Sequence, residues 1–591
     1  MKLTRIAQLI LKYQFMLISR ISENLARFIP ENEQDNYVRY IWMIFASILL
    51  IPLIVMSMNR GILPVDDIAY IYGIAIDGDV VNANNLFSNF IWNFFDNPNF
   101  FRPVSHFIFN IQHVVFSGDF WLFYVVKWIS KLLLIWVTIK IAKRLDISAQ
   151  AQLFIASFIL FHPTIPETRI FSSDSWYILF YLAFLWLMYF KAPAKSVLAT
   201  RLSWLLLLVL WVFFLGSKET AVIVGGIFLA LVGIFNFIEN RFKSHFKYQY
   251  AALLAIYLIY LARFFSQVLG RRELDYDFIL FAKNLKVHFE YLFSSPMLIL
   301  AIIFFGSIFF IFQRWKEINK SYILFFIIVT VSSIGLFILS SMPMVDYPRY
   351  AALRYVSPLV PIVALIIAYG AKLSQSKFYN LALLLLAFIY PIWQSPNIYA
   401  QYTALDNTAL EFSTLLRFSE PLVQDGYSPI TTKQPFEKNT NTGITIGGEI
   451  PGAFLSYFQN GGKILFNKKY PQKNISSTAS NIPKKWVLFT AITPSDINNS
   501  KIQLKEPFAI FKVTLPTERY SISFQSQMSK IASLLGSNLS TFYDDGNIPL
   551  LNENMFYLYI SCSSNECMKN SYGIQGQINN IKTSQRIGSF L

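Results

Sequence analysis

Long apolar blocks recur along the first two-thirds of this 591-residue chain and constrain its fold more than any other feature. An α-helix needs roughly 18 to 20 predominantly apolar residues to cross a bilayer. Only 14% of the residues are charged, whereas soluble domains carry about 25%. We therefore predict a polytopic α-helical membrane protein with about eleven spans. They lie near 41–58, 119–139, 148–164, 174–190, 203–216, 220–237, 249–267, 289–312, 321–341, 355–371 and 378–394.

The distribution of basic residues predicts the orientation of these spans. Residues 1–40 carry lysine and arginine among apolar residues, which indicates an amphipathic segment in the cytoplasmic interface. The short connections on that same side are also basic, as in KIAKRL, NRFKSHFK and QRWKEINK. This asymmetry follows the positive-inside rule and predicts a cytoplasmic N-terminus. The net charge of +16 is thereby explained by topology, and no nucleic-acid partner is expected.

The transmembrane domain, predicted over 41–394, is followed by a part of different character. Asn, Ser, Thr, Gly and Pro become frequent, and no further span is present. Strand-like runs separated by turn-forming sequences predict an α/β or β-rich domain over 395–591. These runs lie at 485–492, 507–515 and 554–562. Because the number of spans is odd, this domain is expected outside the cytoplasm.

The two cysteines, Cys562 and Cys567, both lie in that C-terminal part. A close pair in an otherwise cysteine-free chain is typical of a disulfide in an oxidising compartment. Two unrelated thiols are the alternative. A disulfide agrees with the location that the basic residues predict, so we expect a periplasmic or extracellular C-terminal domain. Frequent Asn, Ile, Lys and Phe suggest an AT-rich bacterial genome, and we therefore expect a protein of the bacterial inner membrane.

Acidic and basic side chains gather on the predicted outer side. The longest outer loop, 59–118, contains the adjacent acids Asp66 and Asp67 directly after the first span, and within it 103–117 is either a further span or an interfacial helix. A pair of aspartates is also common in solvated turns. Ionisable residues beside membrane segments are costly and usually face a cavity or one another. Together these residues predict a cleft at the outer membrane surface.

Five segments resemble the GT-C superfamily of polytopic glycosyltransferases, which use polyprenyl-phosphate sugars. The resemblance is closest to the protein O-mannosyltransferase group and to related enzymes that carry tetratricopeptide repeats. Here the first loop has Asp-Asp where many members have Asp-Glu, and no tetratricopeptide array follows. In chain order, the segments are VDDIAYI (65–71), FRPVSHFIFNIQHVVFSGDFWLFYVVKWI (101–129), FHPTIPETRIFSSDSWYILFYLAFL (161–185), GSKETAVIV (216–224) and LRYVSPLVP (353–361).

The resemblance implies a catalytic role for the two aspartates of the first loop. Asp66 matches the first acid of the family's loop motif and would take the proton of the acceptor hydroxyl as general base. A single displacement by that acceptor would invert the anomeric centre. Asp67 would position the acceptor, raise the pKa of Asp66 by repulsion, or help to hold a divalent cation such as Mg or Mn.

The resemblance also implies residues that bind the donor. Positive charge stabilises a departing lipid phosphate, and arginine and lysine suit this by charge and hydrogen-bond geometry. His162 and Glu167 would bind sugar hydroxyls or orient the first loop, and Glu219 would hold Lys218 in place. The candidates for the phosphate itself are Arg102, Lys218, Arg349, Arg354 and Tyr355. Plainer alternatives are lipid anchors for the arginines and a local Lys218–Glu219 pair worth about 0–1 kcal/mol if exposed.

The expected function is transfer of a sugar from a polyprenyl-phosphate-linked donor to a glycan, lipid or protein acceptor at the extracytoplasmic face. The alternative is a polytopic transporter or flippase of a lipid-linked sugar or other solute; a non-catalytic scaffold is a third possibility. Transporters often show matching halves and helices broken at mid-membrane. The two halves of this chain show no clear repeat, and its polar residues gather at one face, which favours the enzyme.

Overall fold

The computed structural model describes the helical part of the chain in several stretches. These are 31–58, 102–116, 120–163, 174–190, 196–238, 244–265, 297–341 and 357–424, together with Phe94, single positions within 281–293 and 527–534, and five strands. Of the predicted interfacial segment 1–40, only the last ten residues are described, and they continue directly into the first apolar helix.

Most described residues of the first two-thirds of the chain are helical, as their apolar composition predicts. The α-helices are α1 (Glu31–Met58), α2 (Pro103–Phe116), α3 (Phe120–Arg144), α4 (Ala149–Leu160), α5 (Asp174–Leu185, extended by a π-helical turn Trp186–Phe190), α6 (Val197–Leu215), α7 (Glu219–Ile238), α8 (Ser244–Phe264), α9 (Met297–Gln313), α10 (Lys320–Ser341), α11 (Val360–Ser374) and α12 (Lys377–Gln424).

Each of the eleven predicted spans overlaps one of these helices. In the described stretches, six helices are long and apolar enough to cross a membrane, namely α1, α3, α6, α7, α11 and α12. The other five, α4, α5, α8, α9 and α10, are apolar but shorter. Helix α4 has 12 residues, about 18 Å, against a hydrocarbon layer of about 30 Å. The predicted polytopic helical membrane protein is confirmed, whereas α2, at 14 residues, is not among the six.

Basic connections that the sequence places on one side of the membrane do lie together at one end of the bundle. Lys372 Nζ, near the end of α11, donates to the carbonyl of Leu145 after α3 at 2.7 Å. Ser148, the N-cap of α4, donates through Oγ to Asn380 Oδ1 on α12 at 2.9 Å. The α3–α4 and α11–α12 connections therefore lie at the same end of the bundle, while which end faces the cytoplasm stays a prediction.

A buried polar junction ties three helices together within the apolar core. Trp42 Nε1 on α1 donates to Ser157 Oγ on α4 at 2.7 Å and to the Ala387 carbonyl on α12 at 3.2 Å. Ser157 Oγ in turn donates to that same carbonyl at 2.6 Å. Lipid offers no hydrogen-bond partners, so polar groups of a membrane helix are satisfied inside the protein, and this favours one arrangement of the three helices.

Helices α9 and α11 cross at closer range than most side chains allow. A Cβ atom added at Gly370 on α11 would lie 2.5 Å from Ser307 Cα on α9 and closer still to Ser307 Cβ. Small residues at such crossings let two helix backbones approach and gain packing contacts. By contrast, a Cβ added at Gly306, the residue beside Ser307, meets nothing within 4 Å.

The C-terminal part contains a mixed five-stranded sheet. Its strands are β1 (Ser428–Thr432), β2 (Asn474–Ile475), β3 (Trp486–Thr490), β4 (Phe508–Thr514) and β5 (Met555–Ser561), in the order β2-β1-β3-β5-β4. Strand β1 pairs in parallel with β2 and β3, whereas β5 pairs antiparallel with β3 and β4. Each of the three runs predicted as strands contains one of the described strands, β3, β4 or β5. The domain's outer location stays a prediction, and Cys562 and Cys567 lie outside the described residues.

Gly370, at the crossing of α9 and α11, and Gly306, which faces open space on α9, give a matched pair for a stability test. We expect Gly370→Ala to destabilise the bundle by about 1–3 kcal/mol, because its methyl group forces the backbones of α9 and α11 apart. Gly306→Ala should leave stability unchanged or slightly raised. Thermal unfolding of both variants in detergent, followed by tryptophan fluorescence, measures the difference. An equal melting temperature for the two variants would contradict the close crossing.

Candidate functional site

An ion pair joins the start of α2 to the start of α7. Arg102 Nε donates to both carboxylate oxygens of Glu219, at 3.0 Å to Oε1 and 2.9 Å to Oε2. Their side chains are only 17% and 19% exposed. Glu219 is the first residue of α7, where a negative charge is also favoured by the helix dipole. The pair therefore fixes two distant chain segments at one end of the bundle.

Backbone contacts hold the same two segments beside the ion pair. The Val104 amide donates to the Gly216 carbonyl at 2.9 Å, and Ser105 Oγ donates to the Ser217 carbonyl at 2.7 Å. Gly216 is required there, because a Cβ atom at this position would lie 2.6 Å from Val104 Cγ2. The α6–α7 turn thus packs against the first turn of α2, and two of its carbonyl groups accept hydrogen bonds from α2.

Lys218 lies in that turn and is buried, with 4% of its surface exposed. Its Nζ is 5.6 Å from the centroid of the Tyr177 ring, in the first turn of α5. This is a cation–π geometry, which offsets part of the cost of burying an ammonium group. Lys218 therefore places a positive charge between the α6–α7 turn and α5, next to the Arg102–Glu219 pair.

Two further buried cations lie on α3, and the sequence reasoning missed them. Lys127 and Lys131 are each 3% exposed. Lys127 Nζ is 5.7 Å from the centroid of the Trp176 ring. Lys131 Nζ donates to the Leu160 carbonyl at the end of α4, at 3.0 Å. The sequence does indicate these cations, because two lysines lie four residues apart within a predicted span. An ionisable residue inside a membrane helix often marks a functional site.

His162 is buried just beyond the last residue of α4. Its Nε2 donates to the Leu292 carbonyl at 2.9 Å, so the imidazole joins two chain segments. This contact holds the end of α4 beside the segment that carries Leu292, and a role of His162 towards a sugar stays a prediction.

The structure brings three of the predicted site residues together: Arg102, Lys218 and Glu219. The partner of Glu219 in this structure is Arg102, 117 residues away, whereas the sequence suggested its neighbour Lys218. A local pair was expected because chain proximity is visible in a sequence and contacts between distant segments are not. The remaining candidates lie outside the described residues, and these are Asp66, Asp67, Glu167, Arg349, Arg354 and Tyr355.

The described part of the site is strongly cationic. Arg102 pairs with Glu219, Lys218 precedes Glu219 in the chain, and Lys127 and Lys131 are two further buried cations on α3. Such an arrangement suits an anionic ligand, since arginine and lysine donate charge-assisted hydrogen bonds to phosphate and carboxylate oxygens. Among the described residues, no group of three His, Cys, Asp or Glu side chains could hold a metal ion.

Comparison with known proteins found structural similarity without sequence similarity. No protein-family model and no curated protein sequence matches the chain. Two crystal structures of ArnT from Cupriavidus metallidurans are similar to it. The one bound to undecaprenyl phosphate is 12% identical with a TM-score of 0.46, over 77% of this chain and 94% of that chain. The apo structure is 11% identical with the same TM-score, over 78% and 94%. Likeness at this level establishes no family membership.

The Arg102–Glu219 pair can be compared with a surface pair in the same chain. We expect Glu219→Gln to cost about 1–3 kcal/mol of folding stability, because it weakens two hydrogen bonds to a largely buried guanidinium. Glu317→Gln removes the exposed partner of Arg314, whose pair spans 3.4 Å, and should cost about 0–1 kcal/mol.

Thermal unfolding in detergent measures both changes, and a double-mutant cycle with Arg102→Gln isolates the coupling within the buried pair. Equal and small losses for Glu219→Gln and Glu317→Gln, with no coupling between Arg102 and Glu219, would contradict a structural role for the pair.

Proposed function

We propose that this chain is a membrane glycosyltransferase that moves a sugar from a polyprenyl-phosphate donor to an acceptor hydroxyl. The observation that carries the proposal is the buried cationic group at one end of an apolar helical bundle. Lys218 and the Arg102–Glu219 pair form its centre. A ligand that fits must combine a negative charge with a part that tolerates lipid, and a sugar linked to a lipid phosphate does both.

The chemistry of such a donor explains why cations are needed there. Breaking the bond between the anomeric carbon and the phosphate oxygen leaves charge on the departing lipid phosphate. Fixed positive groups in a site shielded from water stabilise this developing charge far more than they would in bulk solvent. Lys218 and Arg102 are assigned this role, and Arg349, Arg354 and Tyr355 of the last outer loop are assigned to the same phosphate.

The acceptor must lose a proton as it attacks the anomeric carbon. Asp66 is assigned as the general base, because a carboxylate at the membrane surface can accept that proton. Direct attack by the acceptor forms the new glycosidic bond as the bond to phosphate breaks, so the configuration at the anomeric carbon inverts. Asp67 is assigned to position the acceptor, tune Asp66, or hold a divalent cation such as Mg²⁺ together with it.

The remaining assignments concern the surroundings of the reacting groups. Glu219 holds the Arg102 guanidinium in place through two hydrogen bonds. His162 acts as a positioning residue for the connection after α4, which carries Glu167. The reaction is assigned to the extracytoplasmic face, with the N-terminus in the cytoplasm, and the acceptor is a glycan, a lipid or a protein.

Replacing Asp66 tests the assignment of the base. We expect Asp66→Asn to abolish sugar transfer while expression and membrane insertion stay at wild-type levels, because the amide cannot accept the acceptor's proton. Asp146→Asn is the matched control, since Asp146 is an exposed acid at the opposite end of the bundle. The measurement is mass spectrometry of surface glycans and glycoproteins from a deletion strain that carries each variant.

We expect the glycans of the deletion strain to lack one sugar. The wild-type protein and Asp146→Asn should restore this sugar, whereas Asp66→Asn should not. Restoration by Asp66→Asn would remove this residue from the role of base.

A second experiment distinguishes the enzyme from a flippase. In detergent solution no compartments exist, so a transferase still consumes its lipid-linked donor. A protein that restores the glycan in cells yet never consumes donor in detergent would be a transporter.

A further inference from the structure

We propose that the exposed face of α3 binds an anionic phospholipid at the end of the bundle opposite to the candidate site. Lys140, Lys143 and Arg144 would hold the headgroup, and Trp136 and Trp186 would contact the region where the headgroup joins the acyl chains. These five residues are called the α3 lipid site. The inference does not depend on the proposed function, because none of them belongs to the candidate site.

The exposed residues of α3 form a continuous stripe that changes from apolar to basic along the helix. Towards the end of α3, Lys143 and Arg144 are exposed and Lys140 is partly exposed. At 3.6 residues per turn, all members of the stripe lie within about 120° around the helix axis. The apolar members are 44–52% exposed, and these are Ile129, Leu132, Leu133 and Trp136.

Lys140 lies where the stripe changes from apolar to basic. Its Nζ is 5.4 Å from the centroid of the Trp136 ring. That ring lies 6.1 Å from the ring of Trp186, in the π-helical turn that extends α5. Tryptophan rings favour the boundary between hydrocarbon and headgroups, and a lysine there keeps its methylene groups among apolar groups while its ammonium group reaches the headgroups. An ammonium group and two indole rings are thus held together on a face suited to lipid.

The protein itself does not neutralise the basic part of the stripe. In the described stretches, none of Lys140, Lys143 and Arg144 forms an ion pair. Asp146, the next acid along the chain, lies 3.5 Å from Lys372 Nζ. Basic clusters directly beside a membrane helix attract anionic headgroups.

The helix dipole explains only part of this cluster. Lys143 and Arg144 lie in the last turn of α3, where the helix dipole favours positive charge. Lys140 lies one turn earlier and is held against an exposed indole ring, which the dipole does not require. Its position is explained by a ligand that contacts both the ammonium group and the ring.

The continuity of the stripe restricts the class of ligand. A free phosphate or a nucleotide would use only the basic part. In a phospholipid, the phosphate oxygens accept charge-assisted hydrogen bonds from the cations while an acyl chain follows the apolar part. A headgroup with net negative charge is favoured over a choline headgroup, because choline would bring a positive charge close to three others.

Native mass spectrometry of the full-length protein in detergent tests the site, with palmitoyl-oleoyl phosphatidylglycerol as the anionic probe and phosphatidylcholine of the same chains as the neutral one. We expect wild type to bind the anionic lipid at least about fivefold more tightly than the neutral one. Lys140→Met should abolish most of this preference, and Lys140→Arg should keep it because the charge is kept. Arg201→Met is the matched control and should leave the preference unchanged, since Arg201 is an exposed base near the start of another apolar helix, α6.

Equal affinities of wild type for the two lipids would overturn the proposal, and so would equal losses in Lys140→Met and Arg201→Met. If Lys140→Met does not fold, the double variant of Lys143→Gln with Arg144→Gln carries the same test, since both side chains are exposed. The anionic lipid should also raise the melting temperature of wild type more than that of either variant, because a ligand of the folded state stabilises it. A lower melting temperature with an unchanged lipid preference would assign Lys140 to structure alone and overturn its role here.

Discussion

The ion pair between Arg102 and Glu219 joins two parts of the chain that are 117 residues apart, and the candidate site depends on it. It fixes the start of α2 to the α6–α7 turn, and the hydrogen bond from the Val104 amide to the Gly216 carbonyl holds the same contact. Because Lys218 lies within that turn, the pair also determines where its charge is held. The end of the bundle that contains this turn thereby holds buried charged groups.

The sequence predicts the helical framework well because membrane helices depend on a single dominant signal. Eleven apolar blocks predict eleven helices, and the contact of Lys372 with Leu145 joins two of the basic connections that the sequence predicts on one side. The lengths of the individual helices are predicted less well. The block 148–164 is continuous in composition, yet α4 ends at Leu160, because Pro163 and the buried His162 follow and hydropathy does not register a helix end.

The site is predicted only in part, since its decisive contacts join distant segments. Arg102, Lys218 and Glu219 were identified, but the pairing of Glu219 with Arg102 could not be read from residues that are adjacent in the chain. Lys127 was overlooked because a lysine within an apolar span resembles an ordinary interfacial residue until its burial is known. Nothing in the sequence indicates that Lys127 Nζ lies 5.7 Å from the centroid of the Trp176 ring.

A structure of the full-length protein with a bound polyprenyl phosphate tests the central claim most directly. The account predicts that the phosphate contacts Lys218 and at least one further basic residue of the cationic site, with the Asp66 carboxylate lining the same cavity. It also predicts that the lipid chain leaves the site towards the apolar outer surface of the bundle. A phosphate bound elsewhere, or Asp66 lying away from the cavity that contains Lys218, would contradict a glycosyltransferase site at this end of the protein.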